Sequence, residues 1–172
     1  VSNPTDALQA WVADTLNITA VWLNPNAPRP PRPYATLQAV NRQRIGSASQ
    51  GPTSAAGNAD FTGDRELTLS VQYIGSASSN DPRDGYQELQ ALVDSLERPS
   101  VRESLHGAGW SFIRTALLQD ITAQVGTEWE PRAVVDIEFR TAVTQSDQVG
   151  VVDTVNIEST LSERTEPLEV TL

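Results

Sequence analysis

The stretch Glu128-Trp129-Glu130-Pro131-Arg132-Ala133-Val134-Val135-Asp136-Ile137-Glu138-Phe139-Arg140-Thr141-Ala142-Val143 decides the fold. From Val135 onward, Val135, Ile137, Phe139, Thr141 and Val143 fall on every second position, with Asp136, Glu138 and Arg140 between them. A period of two places one set on a buried face and the other toward solvent, so this is a half-buried strand. Beyond the polar Ser146-Asp147-Gln148, the run from Val149 to Leu161 carries Val151, Val152, Val155, Ile157 and Leu161. Two long strands around a short polar turn predict an antiparallel hairpin.

Working outward, Phe61 to Ile74 repeats the alternation: Leu67, Leu69, Val71 and Tyr73 are set against Glu66, Thr68, Ser70 and Gln72. Tyr34 to Ile45 reads as a strand with Leu37, Ala39 and Val40 inward and Arg42 and Arg44 sharing one side. Ile18 to Leu23 is a short strand, and Trp110–Ile113 and Leu117–Gln124 are two more. Helical spacing appears in three places. Asn3-Pro4 caps a helix whose Leu8, Trp11, Val12 and Leu16 share a face, and which Asn17 ends. Asp84 opens a second helix with Tyr86, Leu89, Val93 and Leu96 buried, and Pro99 stops it. Ser100-Val101-Arg102-Glu103 is a capping box for a third, which Gly107 ends. The expected fold is α+β: a mixed, mainly antiparallel sheet with long hairpins, packed against two or three helices, in one domain over residues 1–172.

Three segments stand outside this pattern. Residues 24–33 hold five prolines (25, 28, 30, 31 and 33) and predict a stiff extended segment, either a partner-docking arm or a loop along its own domain. Residues 46–58 are uncharged Ser, Ala, Gly, Gln and Pro, and predict a flexible loop. Residues 162–172 form an acidic tail, free or added as a strand to a neighbour's sheet.

The net charge is −10, every cation is an Arg, and Cys and Met are absent. Without Cys there are no disulfides or thiolate metal sites. The missing initiator Met leads to the expectation that it was removed. No run approaches a transmembrane helix, and the first residues lack a basic-then-apolar signal pattern. Charge is placed unevenly. Thr15 to Ala59 contains no acid and holds Arg29, Arg32, Arg42 and Arg44, while the remainder carries the other 8 Arg against all 22 acids. An acidic body with one basic arm argues against a general nucleic-acid binder. It suits a body that docks an arm from a neighbour, or simply an acidic soluble protein.

The search for chemistry is mostly negative. The lone His106 excludes a two-His metal site within one chain, Gly109-Trp110-Ser111 lacks the second Gly of a nucleophile elbow, and there is no phosphate-binding Gly-rich loop. Asp60, Asp64 and Glu66, and likewise Asp81 and Asp84, lack calcium-loop spacing and read as turn and cap residues. Asp136 and Glu138 lie on one strand face about 7 Å apart. A carboxylate pair at that spacing suits acid/base work. Beside Arg140 it equally suits cross-strand ion pairing or a subunit contact. The expectation is no catalytic residue, no metal and no cofactor. The candidate subunit or partner interface is Arg29, Arg32, Arg42 and Arg44 on one side and Asp136, Glu138 and Arg140 on the other.

The chain resembles the bacteriophage neck and tail-terminator family. The likeness lies in Tyr86-Gln87-Glu88-Leu89-Gln90-Ala91-Leu92, in Ser104 to Trp110, in the Val152 to Ser159 strand and above all in Glu128 to Phe139 with its Trp-x-Pro-Arg corner. The Pro-rich run into Tyr34 looks like the family's extended N-terminal arm. The resemblance implies a structural virion protein in the neck of a phage, made in the host cytoplasm. It implies a homohexameric ring that caps the head-proximal end of the tail tube, with the tail tube protein and a head–tail connector or stopper as partners. Genomic DNA would pass the lumen without specific binding, and no membrane is involved. Two alternatives stay open: another head-to-tail adaptor or stopper ring, and a hydrolase using Asp136 and Glu138.

Overall fold

The structure is a computed structural model, and it describes residues 4–23, 26, 28–76 and 84–151. The order is α1 (Pro4–Leu16), β1 (Thr19–Trp22), β2 (Tyr34–Gln50), β3 (Asn58–Ile74), α2 (Gly85–Ser95), α3 (Pro99–Gly107), β4 (Ser111–Thr115), β5 (Gln119–Asp120), β6 (Ala123–Val125), β7 (Glu128–Glu130) and β8 (Arg132–Gln148). The main sheet runs β1-β2-β3-β8-β4, with β5 also on β8, and β6 and β7 make a separate small hairpin. All pairs are antiparallel except β1 with β2. The α+β expectation therefore holds.

The alternation in β8 does its work on the helix side. Ala133, Val135, Ile137 and Phe139 are buried, and so are Leu67, Leu69, Val71 and Tyr73 of β3, which lie directly opposite them. Leu8, Val12 and Leu16 of α1 and Leu89, Leu92 and Leu96 around α2 close the core over them. Phe139 is its hub. Trp11, Trp110 and Phe112 approach its ring edge-on at 6.0, 6.3 and 6.3 Å, the geometry that the aromatic quadrupole favours. The Trp11 indole donates to Ser95 Oγ at 3.0 Å, and Ser95 in turn donates to Leu92 O, so the polar atoms between α1 and α2 are satisfied. At Gly85 a Cβ would sit 3.0 Å from the Tyr73 ring and 3.2 Å from Ala133 N, so α2 can start this close to the sheet only without a side chain there.

Several expectations are corrected. Along its whole length β8 pairs antiparallel with β3, from Ile74↔Arg132 to Asn58↔Gln148, and on its other edge with β4 and β5. Ser146-Asp147-Gln148 is not a turn but the end of β8, where Ser146 donates to the Asp60 carboxylate. This end of β8 lies past the helices and is exposed, so no apolar alternation is demanded of it. The expected return strand to Leu161, the tail 162–172, the Asn3 cap and Asp81 lie outside the described residues. The loop 46–58 shrinks to 51–57, because β2 runs on to Gln50 opposite Phe61; the register slips between Ile45 and Ser49, where Gly46 takes a φ of 62°. Val40 is not inward: it falls in the register shift between Ala39 and Asn41 and is 58% exposed.

The helix boundaries also move. Asp84 caps α2 through Tyr86 N as expected, but α2 ends at Ser95. Pro99 does not stop it; it opens α3, where its missing N–H costs nothing, and Arg98 takes the cap position in place of Ser100. Leu117–Gln124 divides into β5 and β6. The Pro-rich segment acquires a geometric reason. β1 and β2 are parallel neighbours, so the chain must run back from the end of one to the start of the other. Residues 28–33 lie on this path without regular structure, bending at 31–33 through a cis Arg32–Pro33 peptide, beside Tyr34 and Ile74, which are buried on the sheet face opposite the helices.

Truncating Phe139→Ala removes the hub of the aromatic cluster, and we expect a stability loss of about 3–5 kcal/mol. Urea unfolding followed by tryptophan fluorescence measures it, since two of the three ring contacts are indoles.

Candidate functional site

The polar side chains that face outward fall into three groups. The first is on the open face of the sheet. Parity along β8 puts Asp136, Glu138 and Arg140 there, as the alternation predicts. Arg114 of β4 lies opposite Glu138 and grips it with two parallel bonds, Nε to Oε2 at 2.7 Å and Nη2 to Oε1 at 2.8 Å. These hydrogen bonds, before charge attraction, hold the Glu138 carboxyl below its ordinary pKa and raise that of Arg114. Asp136 lies opposite Ser70, and its carbonyl accepts from Ala116 N at 2.8 Å. Arg140 is exposed, opposite Glu66. A carboxylate already locked to a guanidinium and held ionised is a poor proton donor or acceptor near neutral pH. Among the described residues no group of three His, Cys, Asp or Glu side chains could hold a metal.

The second group sits at the Trp-x-Pro-Arg corner. Pro131 interrupts pairing, so β7 turns off the sheet just before β8 begins. Glu130 is buried at 1% exposure, and its Oε2 accepts from Arg32 Nη2 and Arg132 Nη2, each at 3.0 Å. The bridge from Arg32 ties the Pro-rich segment to the corner, so this candidate contact residue is engaged inside its own chain. Arg29 lines a cleft of ≈ 300 Å³ with Pro28, Pro30 and Trp22.

From this anchored corner the β6–β7 hairpin projects. Its approach is fixed by Asp120, whose carboxylate accepts from Thr122 Oγ1 at 2.6 Å and Thr122 N at 2.9 Å. Those bonds, the side-chain one first, lower the Asp120 pKa. Trp129, beside Glu128 on this hairpin, is 65% exposed.

The third group occupies the helix side, just past the ends of the helices. The register shift after Ala39 turns Arg42 and Arg44 onto the same face as Leu67 and Arg65. With Trp110, Thr141 and Val143 they line an open cleft of ≈ 740 Å³. Arg44 stands directly opposite Arg65. The ion pairs among the described residues are Arg32–Glu130, Arg102–Glu97, Arg114–Glu138 and Arg132–Glu130, so none of them involves Arg42, Arg44 or Arg65, and Glu66 is the one acid among the residues that line the cleft.

The structure thus separates the seven candidate residues. Arg42 and Arg44 share one cleft. Asp136, Glu138 and Arg140 share the opposite face, Arg29 lies by the Pro-rich segment and Arg32 at the corner. Sequence reasoning missed four residues. Arg65 was legible, since alternation puts it on the face of Leu67 and Leu69. The pairing of Arg114 with Glu138 needs the strand register, and nothing in the local pattern marks Glu130 as buried or Trp129 as exposed.

Removing Arg132 leaves the buried Glu130 carboxylate with Arg32 alone, and Arg132→Ala is expected to cost roughly 3 kcal/mol. Glu130→Gln in the same background should recover part of it, as read by thermal unfolding. For Glu138 the lowered folded pKa means its stabilising pair is present at neutral pH and is lost as pH falls through that value, below the usual ~4.3. Glu138→Gln should flatten the acid limb of a stability–pH curve and leave its neutral limb unsloped.

The sequence matches the family described as phage neck terminator protein over residues 5–163. In structure it is similar to a chain of the virion of the native gene transfer agent (GTA) particle, at 14% identity and a TM-score of 0.36, covering 83% of this chain and 92% of that one. A comparison with curated proteins finds no match. With its family matched over nearly the whole chain, the protein belongs to the phage neck terminator proteins and is a structural protein of the phage head–tail region.

Proposed function

We propose that the protein is a tail terminator: copies of the chain close into a ring, a hexamer, that caps the head-proximal end of the tail tube and presents the surface on which the head connector docks. The family match over residues 5–163 carries this reading. The distribution of outward-facing groups supports it. A closed ring needs a heterologous interface, one patch meeting a different patch on the next copy. The chain offers unlike patches on different sides: an arginine-rich cleft, a mixed-charge open sheet face and a hairpin that exposes Trp129 and Val125. Arg29, Arg42, Arg44, Asp136 and Arg140 are its candidate contact residues, while Arg32 and Glu138 shape the faces through ion pairs inside the subunit.

The role is structural and not catalytic. Of the two carboxylates that best resemble a catalytic pair, Glu138 is held by Arg114 through two hydrogen bonds. The net charge of −10 suits a ring that DNA traverses, because few free cations replace the counterions of the phosphates.

The test is the mass of the purified protein by light scattering, alone and with the tail tube protein. A species of about six subunits in either condition, with tube lengths capped when the protein is present during tube polymerisation, is the expected result. A monomer in both conditions, with uncapped tubes, overturns the ring. Binding only to the portal-side connector would make it a stopper instead.

A further inference from the structure

Among the described residues, the cleft of Arg42, Arg44 and Arg65 is lined by three cations against one acid, Glu66. Like charges directly across two antiparallel strands repel, and Arg44 and Arg65 are such a pair, neither of them in an ion pair with a described acid. Arg42 adds a third cation beside them, in a chain whose acids outnumber its bases 22 to 12. The cleft is not purely ionic, since Leu67, Trp110 and Val143 contribute apolar surface to its ≈ 740 Å³. Its complement is therefore acidic and apolar together, and large enough to fill a groove.

The β6–β7 hairpin has that character. Trp129 is 65% exposed, Val125 is 48% exposed, and Glu128 pairs with Val125 at the same end of the hairpin. Leu117, at 78% exposure, lies on the approach to the hairpin. Trp129 stands one pair back from the tip, opposite Gln124 and on the other face from Val125 and Glu128, and an exposed Trp is the residue type that dominates interface energetics. Its ring also offers arginine a cation–π surface. The buried Glu130–Arg132–Arg32 cluster fixes the base of the hairpin, so little ordering is left to be lost on docking.

The two features cannot meet within one molecule. The hairpin leaves the sheet at Arg132, whereas the cleft is bordered by Thr141 to Thr144, about 33 Å further along β8 at ~3.3 Å per residue. We propose that the Glu128–Trp129 hairpin of one copy seats in the Arg42–Arg44–Arg65 cleft of the next. This rests on the reading that the chain assembles with itself, and it names the interface that does so. The contact is heterologous, so each copy keeps one free cleft and one free hairpin until the ring closes.

Two variants test it. Arg44→Glu with Arg65→Glu spoils the cleft and keeps the hairpin; Trp129→Ala with Glu128→Arg spoils the hairpin and keeps the cleft. All four positions lie outside the core, and circular dichroism confirms that both variants fold. Native mass spectrometry is expected to show each variant alone at the 18.6 kDa monomer mass, with or without tail tube protein. An equimolar mixture should give a one-to-one heterodimer and nothing larger, because only one productive contact exists. As a second measurement, Arg44→Cys with Glu128→Cys, in a chain with no other cysteine, should cross-link between copies through a short bis-maleimide.

Oligomers of wild-type size in both variants, or monomeric variants whose mixture yields no heterodimer and whose cysteine pair does not cross-link, would overturn this interface and leave the ring standing. A wild-type protein that stays monomeric even with the tail tube overturns the ring and the interface together.

Discussion

Phe139 is where the constraints on this fold converge. It belongs to the strand that lies between β3 and β4, and three aromatic rings from α1, from the segment after α3 and from β4 meet it edge-on. Because the side-chain period of a strand is two, placing Phe139 inward fixes Val135 and Ile137 inward and Asp136, Glu138 and Arg140 outward. The register with β3 then follows along the whole paired length. Shifting it by one residue would bury an arginine and two carboxylates and expose the hub, so the register has no near-degenerate competitor. The helices have no independent claim to their positions. α1 and α2 are short, and their apolar stripes are stabilised by burial against this one face rather than by intrinsic propensity.

The same sheet changes character along its length. Near Arg132 it is covered by helices on one face and by the Pro-rich segment on the other. Toward Gln148 the three long strands β2, β3 and β8 continue past the helices, with β2 and β8 largely exposed and β3 between them keeping Ala59 and Gly63 buried. The first part supplies the stability and the second part supplies reach. Natural sheets guard long exposed strands with charge, proline or bulges. Here Arg42, Arg44 and Arg65 and the register shifts in β2 fall where the covered part gives way to the bare part. That boundary is also where the arginine cleft forms, so the device that protects the ribbon creates its most charged surface.

How far the sequence revealed this depends on the range of the interaction. Alternation is local, so the core faces of β3 and β8 and the apolar stripe of α1 are visible in the residues alone. Asp84 as a cap is visible for the same reason. The ends of strands are not: Ser47, Ser49, Ser146 and Gln148 look like turn residues, yet they are strand because partners across the sheet satisfy their backbones, a fact that no window of neighbours contains. Pairings that join distant segments, Arg114 with Glu138 and Arg32 with Glu130, need the register and the crossover. The Pro-rich segment is instructive in both respects. Its stiffness is written in its prolines, while its purpose, returning the chain between two parallel strands, appears only once β1 and β2 are seen side by side.

Glu130 shows how the fold and the assembly are coupled. A carboxylate at 1% exposure is costly unless it is paired, and both of its partners come from segments that face outward, the crossover and the first residue of β8. One buried charge thus fixes the crossover, the corner and the base of the projecting hairpin against one another. Were the corner apolar, the same burial could be achieved with the hairpin in several orientations, since apolar contact is non-directional. Two guanidiniums converging on one carboxylate oxygen, Glu130 Oε2, narrow that choice. The proposed ring, in which each copy meets one neighbour on either side, tolerates little angular error, because a small deviation at each contact accumulates and the ring opens into a helix. A directional buried cluster at the root of the hairpin is the kind of constraint that such closure demands.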